Sequence, residues 1–203
     1  MTINLREAHQ RVRRWIGIVA IGLSRWRMAR LWRGSRPSPR VLVVSPGGVA
    51  TTMLLKHINR FTDANEPFDL DGWKHIPVPP KQSQKIIYVY GDLDIICANA
   101  ELRDWIPRQG AKLGQPLCAF TAGKIRKTLY RRAVERQMRA FLTFPTVFKV
   151  QYDELWTRIP EIGDFLEIND PAFVATFPAR RERLTVLPGG DGRGVVSPGA
   201  ASA

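Results

Sequence analysis

The chain of 203 residues has only two cysteines, Cys97 and Cys118, and three histidines, His9, His57 and His75. The cysteines show neither metal-ligand nor redox spacing, and no histidine has a cysteine partner, so no metal site is expected. Both cysteines sit in apolar surroundings and read as small buried hydrophobes in a reducing compartment. Long apolar runs are missing as well. Trp15–Leu23 has nine residues, far short of the roughly 20 that a helix needs to span a bilayer. Arg25 and Arg27 follow it directly and no small-residue cleavage site is present, which argues against a secretory signal. A cytoplasmic location is therefore expected. Also missing is a Gly-Lys-Ser or Gly-Lys-Thr, the tripeptide that cradles a triphosphate, so a nucleotide kinase is a weak reading. No internal repeat is visible.

Acidic residues are scarce at the start of the chain. Residues 1 to 40 hold ten arginines, no lysine and one acid, Glu7. They carry +9 of the net +13 and leave +4 for the rest. The basicity belongs to an arm, not to the folded body, so a nucleic-acid partner is not expected. Within residues 5 to 33, Trp15, Trp26 and Trp32 alternate with arginines. That pattern suits an interfacial helix on an anionic membrane surface, which would make the protein peripheral on the inner face. It equally suits a helix packed on its own domain or on a partner subunit. The Gly34–Pro39 stretch breaks the segment. Three regions are expected: 1–36, a basic aromatic arm; 37–178, an α/β domain; and 179–203, a basic then Gly/Pro-rich flexible tail.

The stretch from 40 to 61 dominates the α/β domain. Arg40 to Ser45 is a short β-branched run that suits a strand buried on both faces of a parallel sheet. Met53, Leu54, Ile58 and Phe61 follow near helical spacing. Between them lie Gly47, Gly48, Val49, Ala50, Thr51 and Thr52. A strand, a glycine turn and a helix start bring free backbone N–H groups and the positive end of a helix dipole to one point, as an anion site requires. The plainer reading is an ordinary strand-to-helix turn.

Further along, Trp73 to Pro77 predicts a very short strand, and Lys85–Tyr90 a second buried strand. Asp94 is expected to cap a helix that runs to Trp105, with Pro107 and Gly110 ending it. Residues 122 to 142 predict a basic helix with an apolar stripe of Ile125, Leu129, Val134, Met138, Phe141 and Leu142. Its cations read as a solvated face or, alternatively, as the border of an anionic ligand. Thr146–Tyr152 predicts a third strand, followed by a helical turn at 153–156 and a short helix over 159–168. Strands alternating with helices predict a three-layer α/β sandwich with a mainly parallel sheet, whose ligands bind beyond the carboxyl ends of the strands.

Four segments, in order, resemble the P-loop sulfotransferase family over about residues 40 to 168. Val41 to Pro46 with Thr51-Thr52 is similar to its 5′-phosphosulfate loop, Pro-Lys-Ser-Gly-Thr-Thr. Lys74-His75-Ile76-Pro77 resembles Lys-x-His-Leu-Pro, whose histidine is the base in many members. Lys85 to Asp92, with the helix after it, resembles the element that holds the donor's 3′-phosphate. Val150 to Trp156 and Ile162 to Leu166 resemble the late Arg-Tyr-Glu-Asp-Leu and Phe-Leu pair. The chain departs from the pattern where the loop lysine falls on Gly48, the arginine after the second strand on Gly91, and the 3′-phosphate serine on about Asn99.

The resemblance implies a P-loop NTPase-like sulfotransferase fold with 3′-phosphoadenosine 5′-phosphosulfate as sulfo donor and no metal. The acceptor would be a hydroxyl of a carbohydrate or glycolipid. It implies His75 as catalytic base. Lys74 is the candidate to replace the missing loop cation, and Gly47 to Thr52, Asn99 and Arg103 are the donor-binding set. The alternative is a protein that keeps the fold without the chemistry, a binding or scaffold protein held to a membrane or partner by its arm.

Overall fold

In the computed structural model, residues 39–65, 73–80 and 85–180 are described. The arm, its expected lipid contact over 5 to 33, and the tail beyond 180 lie outside them. The chain is α/β. Its sheet has three parallel strands in sequential order: β1 (Val41–Val44), β2 (Lys85–Tyr90) and β3 (Val147–Gln151). Val41 pairs with Lys85 and Val44 with Tyr88; Ile86 pairs with Val147 and Tyr90 with Gln151.

Side chains alternate across the sheet, as the two-residue strand period requires. Val41, Val43, Ile87, Val89 and Val150 face one apolar cluster, shared with helices α1 (Thr51–Ile58), α5 (Ile159–Leu166) and α6 (Ala172–Ala175). Leu42, Val44, Ile86, Tyr88 and Val147 face the other, filled by Trp73, Ile76 and Phe141. This two-sided burial explains the uninterrupted apolar sequence of β1 and β2.

Among the described residues, the outer edge of β1 is closed by no fourth strand but by single contacts. Backbone groups of Leu42 and Val44 point toward β2, so those of Val41, Val43 and Ser45 point outward. Asn65 N–H donates to Val41 O at 3.1 Å. The Asn65 carboxamide then stands in for a strand residue, accepting from Val43 N at 2.7 Å and donating to Val43 O at 2.8 Å. Ser45 N–H donates to Lys74 O at 2.9 Å. Asn65 holds φ +50°, a left-handed conformation that asparagine tolerates better than most residues.

Several sequence expectations are corrected. Trp73–His75 forms a 3-10 turn and not a strand, because it meets β1 only at its end. Helix α2 (Leu93–Leu102) is capped by Asp92, not Asp94: Asp92 has the extended backbone of a cap, and its carboxylate accepts from Ile95 N at 2.9 Å. Asp94 lies in the first turn and pairs with Arg131. The helix stops at Leu102, before Asp104 at φ +51°. Pro107 and Gly110 belong to a further helix, α3 (Ile106–Lys112). Pro107 occupies its first turn, where the missing N–H costs nothing. Gly110 faces Cys118, and a Cβ there would lie 2.6 Å from Sγ. Helix α4 (Gly123–Leu142) buries Tyr130, Ala133, Val134, Gln137 and Phe141, while Ile125 is exposed. No helix among the described residues is long and apolar enough to cross a membrane.

The carboxamide of Asn65 gives a direct test of how β1 is held. Asn65→Gly keeps the left-handed backbone but leaves the buried Val43 N–H and C=O unpaired, at about 1–3 kcal/mol for each group. Urea unfolding should show a loss of about 2–4 kcal/mol. A loss below about 1 kcal/mol would contradict this role for the side chain.

Candidate functional site

Beyond the carboxyl ends of the strands opens a cleft of about 930 Å³. One wall is the loop from Gly47 to Thr52. Its shape comes from three left-handed residues, Gly47 at φ +110°, Gly48 at +69° and Ala50 at +55°. At Gly47 a side chain is excluded twice, by that φ and by the Gln109 carboxamide, which would lie 2.9 Å from a Cβ. Gln109 is itself held by the Tyr130 hydroxyl, which donates to Oε1 at 2.7 Å. Gly48 packs beside Asn99, whose Cβ lies 3.7 Å from the position of an added Cβ.

The two loop threonines have different tasks. Thr51 is buried, and its hydroxyl donates to Ser45 Oγ at 2.5 Å while Gly47 N–H donates to the same oxygen at 3.2 Å. This ties the turn to the end of β1. Thr52 is exposed, and its hydroxyl accepts from Lys74 Nζ at 3.1 Å. Met53 N–H donates back to Ala50 O at 3.0 Å, while the Thr51 and Thr52 amides precede the helix's own bonding and lie at its positive dipole end.

Lys74 and His75 both line the cleft. On a strand, neighbours would point to opposite faces; the 3-10 turn removes that constraint. His75 is buried and its Nδ1 lies 2.9 Å from Ser45 O. A carbonyl can only accept, so Nδ1 carries a proton, and whenever the ring is neutral its lone pair is on Nε2. Gln137 secures the same corner, donating to Ile76 O at 2.6 Å and accepting from the Tyr88 hydroxyl at 3.3 Å.

Sequence reasoning did not find most of the charge in the cleft. Its lining includes six cations, Lys56, Arg60, Lys74, Arg103, Arg108 and Lys112, and no carboxylate among the described residues. The only available signal was i, i+4 spacing: Thr52 and Lys56 on α1 with Arg60 just past its end, and Arg108 and Lys112 on α3. Helix α4, the basic helix considered as a border, contributes no cation to the lining. Trp105 and Trp156 complete the walls. The Arg103 guanidinium lies 4.7 Å from the Trp105 ring centre, and that of Arg180 lies 5.5 Å from the Trp156 ring. Asn99 is beside Gly48 and outside the lining; Arg103 is in it.

A smaller cavity of about 460 Å³ lies at the opposite end of the strands, near Arg40, Lys85 and Glu167. It holds none of the loop residues. Cys97 and Cys118 are free thiols, pushed up to about 11 by burial and so unreactive near neutral pH. No family model, curated protein or solved structure matches the chain.

His57 also reaches the cleft wall, but its ring is built into the core. It packs against Phe61, Phe173 and Phe177, its Nε2 donates to Phe173 O at 2.7 Å, and Nδ1 has no partner. Burial pushes its pKa below the ordinary 6.5. The unfolded chain therefore takes up this proton more readily than the fold. His57 contributes stability that is complete above pH 6.5 and is lost as pH falls through the lower folded value. In thermal melts between pH 7.5 and 5 (about, by the imidazole range), His57→Gln should show a shallower acid loss than the wild type. Equal slopes would remove His57 from this role.

Proposed function

We propose that the cleft binds 3′-phosphoadenosine 5′-phosphosulfate and that the protein is a divergent sulfotransferase with a P-loop-like fold. The acceptor in this reading is a hydroxyl of a carbohydrate or glycolipid. The observation that carries it is one cleft in which a left-handed glycine loop, six cations and His75 converge, with no carboxylate among the described residues. A donor with anionic groups at both its 3′ and 5′ ends needs such a lining, and a carboxylate beside it would oppose binding.

In this mechanism the loop amides and Lys74 hold the 5′-phosphosulfate. His75 Nε2 takes the acceptor proton as the acceptor oxygen attacks sulfur. The new O–S bond forms as the S–O bond to the 5′-phosphate breaks, and the leaving phosphate keeps the electron pair. Positioning and charge neutralisation supply the catalysis, as in phosphoryl transfer. The resemblance sets a loop lysine at Gly48 and an arginine at Gly91. A Cβ at Gly91 would lie 3.2 Å from Val49 Cγ1, so any side chain there requires Val49 to shift. The cations on α1, α3 and the 73–75 turn are the compensation. Asn99 and Arg103 are the 3′-phosphate candidates.

A second reading keeps nucleotide binding and drops catalysis. It is favoured by Thr51, whose hydroxyl proton goes to Ser45 and not to the cleft. Calorimetry with 3′-phosphoadenosine 5′-phosphate should show binding, weakened about tenfold or more in Lys74→Ala by loss of a charge-assisted contact. The absence of heat from folded protein at millimolar ligand would sink both readings. His75→Ala should abolish sulfo transfer and leave nucleotide affinity within about threefold of wild type, because a general base acts on the acceptor. Nucleotide binding without turnover in the wild type would select the second reading.

A further inference from the structure

Helix α4 holds seven basic residues; Lys124 is exposed in its first turn, and the structure divides the other six into two sets. Lys127 pairs with Glu101, Arg131 pairs with Asp94 and Glu135, and Arg126 Nε donates to Thr121 O at 2.6 Å. These interactions neutralise the flank facing α2 or fold back on the preceding turn. Arg132, Arg136 and Arg139 are exposed, with no carboxylate partner among the described residues. At about 100° per residue they share an arc of roughly 60° with Ile125, and no acid lies on that arc. None of them lines the cleft.

Ile125, near the amino-terminal end of this arc, and Leu117 and Phe120, in the turn before the helix, are apolar and open. Leu117 is 54% exposed, Phe120 58% and Ile125 64%. Leu117 and Phe120 lie three residues apart across the Pro116–Ala119 3-10 turn, a spacing that puts side chains on one side. Large apolar side chains this open, beside a line of arginines, match an interface that offers hydrocarbon and phosphate together. A nucleic-acid backbone would satisfy the arginines but give the three apolar groups nothing. No aromatic residue is interleaved with the arginines on the arc to stack on bases.

We infer that this face docks on an anionic lipid surface, with Leu117, Phe120 and Ile125 entering the interface and Arg132, Arg136 and Arg139 lying over headgroup phosphates. The site uses no residue of the N-terminal arm and does not depend on the sulfotransferase reading. The helix has 20 residues and is about 30 Å long, enough to lay all three arginines on one plane.

Co-sedimentation of the full chain with phosphatidylcholine vesicles, with and without phosphatidylserine, tests it. Binding should require phosphatidylserine. The Arg132→Glu/Arg136→Glu pair should weaken it about tenfold or more, and Leu117→Ser/Phe120→Ser by a similar factor. All four positions are exposed, so thermal melts should stay close to wild type. Hydrogen exchange on vesicles should show protection over residues 117 to 125. No binding by the wild type, unchanged partition in both variants, or protection confined to residues 1 to 38 would overturn the inference. Loss in the arginine pair alone, with competition by a short DNA duplex, would assign the face to nucleic acid and overturn it equally.

Discussion

The outer edge of β1 is the constraint on which the rest depends. Val41, Val43 and Ser45 lie in the core and present their backbone groups away from β2, so each group needs a partner from elsewhere. Asn65 supplies three of those bonds, and the turn at 73–75 supplies the ones at Ser45. The turn that completes the edge is also the one that brings Lys74 and His75 to the cleft. The same hydrogen bonds that finish the sheet therefore set the tautomer of His75. Gln137, reaching from α4 to Ile76 and Tyr88, holds this corner from behind.

Charge in the cleft is distributed, not focused. The glycine loop has no cation of its own, and its amides and the α1 dipole supply a partial positive charge. The full charges stand on or just after four separate elements around it, α1, the 73–75 turn, α2 and α3. Such a lining suits an extended anion better than a single compact phosphate. It also leaves the loop sterically plain, with Gly47 pressed by Gln109 and Gly91 pressed by Val49.

The strands were the most legible part of the sequence. In Lys85–Tyr90 the lysine is followed by five β-branched or aromatic residues without a break, and its bounds are those of β2. The α4 helix also stood out, because a 20-residue helix averages out local ambiguity. The loop at 46–52, the histidine and the neighbouring lysine were readable as a set through order and spacing. What escaped was whatever depends on tertiary contact. Gly110 read as a helix end, yet it is a helix interior thinned to admit Cys118. Trp73–His75 read as a strand because its apolar residues fit one, whereas its backbone partners lie at the end of β1. Asn65 carried no signal at all, since one asparagine in a turn-rich stretch gives no hint that its amide completes a sheet. Arg108 and Lys112 were hidden because a seven-residue helix shows too little periodicity to expose a polar face.

The sequential order of the strands has a consequence for how the protein is made. The residues that close the outer edge of β1 follow it by at most 30 positions along the bond from His75 to Ser45. A chain leaving the ribosome therefore carries the cover for that edge before Lys85–Tyr90 has been synthesised. Each later strand then adds to the one edge still open. At no stage of growth does the nascent sheet need to expose both sides to other chains, which is where edge-to-edge aggregation begins.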